Sequence, residues 1–480
     1  MQYKINWKPF FAGFSLVSGS LFAQSTMISG TITNPVEQNV LLIYYDTELR
    51  RDAVQETAYL DDAKNFNCRL DCKFPQTVEL HHGKHKRRIY LEPGDKLHLT
   101  FDNDDFNNSW KISGEGAANN LFLDNLNTTY PFFSRFQFQS ANADQHFHSI
   151  DSLLQEMQRY INTEKQLSNV SEPFLHELTK ELLFQAIINK IAYLQKNYAA
   201  TDVEKEHTEK LRQFIETIDL NAAENLHLES FTKFIFMYHT WIYQLDNPEL
   251  LLRIRTLNIP QLPEKERQNV FAEIAQVREG IARRLFQNRT LDFFLSNELI
   301  GLFEDGWISP FDSLYTVYKT EGLVVEFVSL IDKALNESSR LQPGKPAPDF
   351  TLPEEENEPT SIADLHGKVL LLNFWTTWCK PCKISAPKLN RMSKHFKNKA
   401  FLLVNINLDD DSEAAKKAIR EEQLAGLHLF ANGFHSKIAK DYHIEGVPRY
   451  YLLDKDGKIV ERMTGFFMEK ALVKKIEELL

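Results

Sequence analysis

The chain has 480 residues, enough for about three domains of roughly 150 residues each. Hydrophobic residues make up 43% and charged residues 25%, a composition that excludes wholesale disorder. With 66 acidic and 55 basic residues the net charge is −11, so counterion release on a polyphosphate offers no gain and we expect no nucleic-acid partner.

The first 23 residues are typical of a cleavable secretory signal. Lys4 and Lys8 precede the uncharged stretch 9–23, which ends on the small residue Ala23. This stretch is shorter than the roughly 20 residues of a membrane-spanning helix, and an uncleaved anchor is the alternative. No cysteine lies nearby, so we expect no lipid anchor. The mature chain is predicted to be periplasmic, without a transmembrane segment.

Residues 24–115 show a hydrophobic pattern of period two, which predicts an antiparallel β-sandwich. Apolar and polar side chains alternate strictly over residues 66–74, as in a half-buried strand. The turn signal Pro93-Gly94-Asp95 separates the last two strands of this region. Further strands are predicted at 40–45, 77–80, 88–91 and 96–101.

Residues 116–341 change to helical periodicity. Leu175, Leu178 and Leu182 recur on one face of a predicted helix that begins near Ser171 and Pro173. Further amphipathic helices are predicted at 152–161, 203–218 and 323–335. This region contains no motif to which chemistry can be assigned.

Residues 342–480 alternate between strands and helices, which predicts an α/β domain. The nearly continuous apolar runs at 369–374 and 400–406 are typical of strands buried on both faces. Residues 447–453 and 458–463 predict two more strands, and a helix at 471–480 closes the chain.

The strongest chemical signal is the sequence WTTWCKPC at 375–382, between a buried strand and a helix. The helix N-terminus and Lys380 favour a thiolate at Cys379, which is therefore the candidate nucleophile. Cys382 would resolve the mixed disulfide, and Pro381 is tolerated in the first helical turn. An inert disulfide and half of a zinc site are the alternatives, although no cysteine follows Cys382.

Several motifs of residues 342–480 resemble the TlpA-like thiol–disulfide oxidoreductases, exported members of the thioredoxin superfamily. They are GKPAPDF at 344–350, GK at 367–368, NFW at 373–375, WCKPC at 378–382, GVP at 446–448 and DG at 456–457. The resemblance implies a thioredoxin fold and a cis peptide bond at Pro448. It also implies a substrate groove that includes Trp378, Lys380, Pro381, Val447 and Pro448. YLEPGD at 90–95 and GEGA at 114–117 resemble regions that precede such domains in exported Bacteroidetes-type proteins.

Three positions differ from those of related proteins. Asn373 stands where cytoplasmic thioredoxins keep a buried Asp, although Asn is common there in the TlpA-like branch. Ser385 replaces a Glu often found in family members that reduce apocytochrome c. Both changes remove an acid that could accept the Cys382 proton, which leaves Glu445 as a substitute. Arg449 follows the proline, and we expect it to add positive charge to the groove.

A run of seven cations without an acid lies between residues 379 and 400. A solvated helix surface is the simpler interpretation, and a patch that steers acidic partners to the site is the alternative. The cations are Lys380, Lys383, Lys388, Arg391, Lys394, Lys397 and Lys399.

The other two cysteines, Cys68 and Cys72, would lie about 13 Å apart on one strand, too far for a disulfide. We expect buried core thiols there. A Cys/His metal site with His81, His82 and His85 is the alternative.

The leading hypothesis is an enzyme that exchanges its CxxC pair with protein disulfides, as a reductant. It would need no dissociable cofactor, but a membrane electron-transfer partner would have to reset it. A thiol peroxidase is one alternative, because Thr376 lies three residues before Cys379, although Leu372 stands where such sites carry Pro. The other alternative is a protein whose first two regions bind a ligand or partner, with an accessory redox domain.

Overall fold

The computed structural model describes residues 25–47, 53–130, 142–165, 168–197, 202–257, 262, 264–304, 311–321, 324–354, 358–465 and 469–480. The predicted signal at 1–23 lies outside these residues. The chain forms two compact units. Of the residues just given, the first unit takes those up to 130 together with 145–186 and 227–229, and the second takes those in 142–144, 187–226 and 230–480. Within the described ranges, no helix combines the length and the apolar character needed to cross a membrane.

The first unit contains two four-stranded sheets. One has the strand order β4-β1-β7-β8 and the other β3-β2-β5-β6. The strands are β1 (Thr26–Thr33), β2 (Asn39–Tyr45), β3 (Ala53–Tyr59), β4 (Asn65–Leu70), β5 (Gln76–His82), β6 (His85–Leu91), β7 (Lys96–Asp102) and β8 (Lys111–Glu115).

Alternate residues of both sheets point into one apolar core. Ile28, Leu42, Leu80 and Leu99 are among its fully buried members. The prediction of a wholly antiparallel region is wrong at one pair, since β1 and β7 run parallel. Chain direction across a pair depends on the connections between strands, which the local hydrophobic pattern does not encode.

Four of the five predicted strands are confirmed within a few residues. The fifth, β4, ends at Leu70, so Cys72 lies beyond the strand. Cys68 and Cys72 are nevertheless both buried, unpaired thiols in the shared core. Burial is the main cause that raises the pKa of each thiol to about 11.

Helices dominate the chain between the β8 strand and residue 341, and the four predicted ones are confirmed as α3, α4, α5 and α11. Ser171 caps α4, because its Oγ accepts the N–H of Phe174 at 3.1 Å. The helices are α1 (Phe106–Ser109), α2 (Ala117–Thr129), α3 (Ala143–Glu164), α4 (Glu172–Lys196), α5 (Asp202–Ile215), α6 (Glu229–Asp246), α7 (Pro248–Thr256), α8 (Glu264–Leu285), α9 (Asn288–Glu304), α10 (Phe311–Thr320) and α11 (Val325–Arg340).

The C-terminal part of the second unit is built on a five-stranded sheet of order β13-β12-β11-β14-β15. Strands β11, β12 and β13 are parallel, whereas β14 and β15 are antiparallel to their neighbours. The elements are β9 (Thr351–Leu352), β10 (Thr360–Ser361), β11 (Val369–Trp375), α12 (Lys380–His395), β12 (Phe401–Asn407), α13 (Ser412–Glu422), β13 (Leu427–Phe430), α14 (Lys437–Asp441), β14 (Arg449–Leu453), β15 (Ile459–Thr464) and α15 (Glu469–Leu479).

Strand β11 is buried along its whole length, which explains its continuous apolar run. Its alternate residues belong to two separate hydrophobic cores, one on each face of the sheet. Leu370, Leu372 and Phe374 pack on one face of the sheet, while Val369 and Leu371 pack on the face covered by α12 and α15. The central strand thereby fixes the position at which the chain leaves the sheet and enters α12.

Candidate active site

Cys379 and Cys382 form a disulfide at the start of α12, with their Cα atoms 5.3 Å apart. Cys379 is the N-cap of this helix, and its Sγ accepts the N–H of Cys382 at 3.1 Å. The helix N-terminus directs its free N–H groups and their partial positive charge toward this sulfur. The local fold thus provides a place where a thiolate at Cys379 is stabilised.

Both cysteines are buried, but the residue before them is exposed. Cys379 and Cys382 lie in a small apolar cluster together with Trp375 and Phe430, and Val447 packs against it. Trp378 is 69% exposed, with its ring centroid 6.2 Å from that of Phe434. The disulfide therefore lies at the edge of an apolar surface.

The predicted groove residues occupy two segments of the C-terminal sheet and helix. Lys380 and Pro381 are exposed on the first turn of α12. Val447 contacts the cysteine cluster, and the Val447–Pro448 peptide bond is cis. The structure thus brings Val447 to the cysteines, while the side chains of Trp378, Lys380 and Pro381 are exposed to solvent.

Arg449 does not add charge to an open groove. It is buried, and its Nη1 donates to the carbonyl of Glu304 at 3.3 Å. The expectation of an exposed cation is wrong because the sequence gives no indication that a helix end from residues before 342 meets this strand.

The polar side chains that the structure describes as buried beneath α12 are amides and hydroxyls. The Nδ2 of Asn373 donates to the Oδ1 of Asn405 at 2.8 Å, and the register of the sheet places Tyr450 beside Asn373. Burial raises the pKa of Tyr450 to about 12, against the opposing effect of the Ser385 hydroxyl. Among the described residues, the polar groups named in this cluster are hydroxyls and amides. None of them is a carboxylic acid that could accept the Cys382 proton. Glu445, the substitute considered from the sequence, is exposed.

Asp409 is a site residue that the sequence analysis missed. Its carboxylate accepts the N–H of Thr377 at 2.8 Å and the Thr377 hydroxyl at 3.1 Å. Asn407 Nδ2 donates to the same carboxylate at 2.8 Å. Asp409 follows β12, and the carboxyl ends of adjacent parallel strands meet at one edge of a sheet, where ligands and catalytic loops gather. That rule could have identified it.

The cationic run of α12 is partly engaged in contacts. Arg391 forms a two-point ion pair with Glu469, at 3.0 and 2.6 Å. Lys399 Nζ lies 5.4 Å from the centre of the Phe396 ring. Lys380 and Lys383, beside the disulfide, are exposed.

The alternative metal sites gain no support from the geometry. Among the residues that the structure describes, no three His, Cys, Asp or Glu side chains are grouped so that they could hold a metal ion. His82 instead uses its Nδ1 for a contact with the Asn39 carbonyl at 2.9 Å, and His85 uses its Nε2 for one with the Asn103 carbonyl at 2.9 Å.

A sheet of this order, with a dithiol pair at the start of the helix that follows its central strand, defines the thioredoxin superfamily. Residues 342–480 match the Redoxin family model. The thiol–disulfide oxidoreductase ResA of Bacillus cereus is 33% identical over 129 residues, which cover 27% of this chain and 73% of ResA. The thiol:disulfide interchange protein DsbE of Pseudomonas aeruginosa is 33% identical over 129 residues, covering 26% of this chain and 69% of DsbE.

The chain belongs to the thiol–disulfide oxidoreductase family, and it is an oxidoreductase. Among solved structures, a thiol-disulfide oxidoreductase from Bacteroides fragilis is 38% identical and covers 28% of this chain and all of its own, with a TM-score of 0.27. These relatives each account for under a third of the chain.

Proposed function

We propose that the protein is an exported reductant that transfers two electrons from its CxxC dithiol to protein disulfides. The observation that carries this proposal is the Cys379–Cys382 disulfide at the start of α12, with the Cys382 N–H directed at Cys379 Sγ. Cys379 is the nucleophile, Cys382 is the resolving thiol, and the groove consists of Trp378, Lys380, Pro381, Val447 and Pro448.

The reaction proceeds in two exchange steps. The Cys379 thiolate attacks one sulfur of the substrate disulfide, so that an enzyme–substrate S–S bond forms and the second substrate sulfur leaves as a thiolate. Cys382, deprotonated, then attacks Cys379 Sγ and releases the first substrate sulfur. The substrate gains two electrons and two protons, and the enzyme is left with its own disulfide.

The direction of electron flow is proposed from the environment of Cys379. A strong oxidant of this type stabilises its reduced form through a greatly lowered thiol pKa. Here the contact described at Cys379 Sγ is a single backbone N–H, and Lys380 is exposed to solvent. On this ground we propose a reductant, which a membrane electron-transfer protein would have to re-reduce.

The proposed organisation is a signal at 1–23, a β-sandwich domain at 24–115, a helical region at 116–341 and a thioredoxin-like domain at 342–480. Export to the periplasm would place the site where substrate disulfides persist. Mass measurement of the mature protein from a secreting host tests this: a chain that begins at Gln24 supports the proposal, and one that retains residue 1 contradicts it.

Insulin reduction with dithiothreitol as electron donor tests the chemistry. We expect the wild type to accelerate reduction, Cys379→Ser to abolish the acceleration, and Cys382→Ser to accumulate a mixed disulfide with insulin. Cys68→Ser, which changes a buried thiol outside the site, is the matched control and should retain activity. Acceleration that survives Cys379→Ser would contradict the assignment.

A further inference from the structure

One arginine on β14 and one on β15 contact the end of a helix that lies outside residues 342–480. Arg462 Nη2 donates to the carbonyl of Phe303 at 2.8 Å and to that of Glu304, and Arg449 Nη1 reaches the Glu304 carbonyl. Phe303 and Glu304 are the last two residues of α9. We call these two guanidinium groups and the two carbonyls the arginine latch.

The sheet register explains why the two arginines act together. Arg449 pairs with Thr464 and Tyr451 pairs with Arg462, so the arginines are diagonal neighbours on one face of β14 and β15. Two like charges in such positions repel each other. The last carbonyls of a helix have no partners within the helix and carry partial negative charge, so the end of α9 offsets this repulsion.

Because Arg449 is buried, its guanidinium depends on hydrogen-bond acceptors that the protein itself provides. Its side chain is 5% exposed, and a guanidinium removed from water is costly unless its hydrogen bonds are satisfied. The carbonyl of Phe303 is further held by the hydroxyl of Ser338 on α11. The end of α9 is therefore itself fixed, and it can fix Arg449 in turn.

Arg449 is the first residue of β14 and follows Pro448 directly. Before Val447 and Pro448, the residues Glu445 and Gly446 are exposed and lie outside any helix or strand. The carbonyl of Pro448 accepts the N–H of Gly465 at 3.0 Å, so Pro448 is also held by the residue that follows β15. The latch is thus placed where it can determine the position of Val447 and Pro448.

We infer that α9 completes the substrate groove: the arginine latch holds Val447 and Pro448 in place for an extended polypeptide, so that the helical region sets the preference for protein disulfides over small ones. Arg449 is a positioning residue in this account. The inference rests on the proposed function. A small disulfide needs only the Cys379 sulfur, whereas a polypeptide also needs the groove, so the two substrates should respond differently to loss of the latch.

The test compares Arg449→Met and Arg462→Met with Arg391→Met, a matched control that removes an exposed ion-paired arginine from α12. Each full-length variant is assayed with insulin and with DTNB. For Arg449→Met we expect kcat/KM on insulin to fall about tenfold, mainly through KM, with DTNB rates within about twofold of wild type. Arg449→Lys, which keeps the charge, should recover part of the loss.

The reduction potential separates positioning from chemistry, and it should be unchanged in both latch variants. If Arg449→Met does not fold, as judged by circular dichroism, Arg462→Met provides the same comparison from the adjacent strand. Equal losses on insulin and DTNB, or an unchanged insulin KM, would overturn the latch. A wild-type chain that exchanges neither substrate would instead overturn the proposed function.

Discussion

Asp409 holds the loop that leads into the cysteine pair, and its removal should loosen that loop measurably. The carboxylate accepts two hydrogen bonds from Thr377, at 2.8 and 3.1 Å, and it is almost fully buried. Asp409→Ala leaves the Thr377 N–H without this acceptor. The loop would then be held at this point by fewer contacts in the native state.

The magnitude follows from the charge of the acceptor. A hydrogen bond to an ionised group contributes about 1.5–3 kcal/mol. At about 1.4 kcal/mol per tenfold change, opening of the loop should become roughly 10- to 150-fold more frequent. Asp409→Asn retains one acceptor oxygen and should fall between the wild type and the alanine variant.

Amide hydrogen exchange of the oxidised protein measures this directly, because the Thr377 N–H reports on the bond that is lost. Asp410→Ala is the matched control, since it removes the same charge one residue away from an exposed side chain. We expect faster exchange at Thr377 in Asp409→Ala and unchanged exchange in the control. Exchange at Thr377 within twofold of wild type would show that Asp409 does not hold the loop.

Three further predictions concern the thiols, the β-sheet unit and the cationic patch. In the reduced native protein only two thiols should react with DTNB, because burial raises the pKa of Cys68 and Cys72 to about 11. After unfolding, four thiols should react. Four reactive thiols in the native protein would contradict the burial of Cys68 and Cys72. Burial, more than any other cause, raises the pKa of Asp95 from 3.8 to about 6, so its ionisation costs stability as pH rises from about 4 to 6. Asp95→Asn should therefore stabilise the chain against urea by up to roughly 3 kcal/mol at pH 7.5 and not at pH 3.5, whereas equal effects at both pH values would refute that sign. Charge reversal at Lys383 and Lys388 should slow exchange with acidic protein substrates at low salt; unchanged, salt-independent rates would remove the steering hypothesis.

The sequence was informative where burial leaves a local pattern. The strands β11 and β12 are buried on both faces, and their apolar runs predicted them almost to the residue. The amphipathic helices α3 and α5 were predicted in the right places but with less exact ends, since α3 begins nine residues before its predicted start. The CxxC motif needed no long-range information, because both cysteines lie on one helical turn.

Long-range pairing is what the sequence did not reveal. The parallel contact between β1 and β7 depends on how distant strands are ordered, and residues 26–33 and 96–102 each look like any half-buried strand. The contact of Arg449 with Glu304 joins positions 145 residues apart, so the local sequence indicates only an arginine beside the groove proline and not its burial. Asp409 was missed because its partner, Thr377, meets it only where two parallel strands end.

The reduction potential of the Cys379–Cys382 pair, obtained by equilibration against dithiothreitol or glutathione buffers, tests the central claim most directly. Our account predicts a reversible two-electron couple near or below about −270 mV, the range of a reductant. A value near −120 to −180 mV would mark an oxidant or isomerase and contradict the proposed direction. The absence of any reversible couple would make the disulfide structural and refute the proposed function.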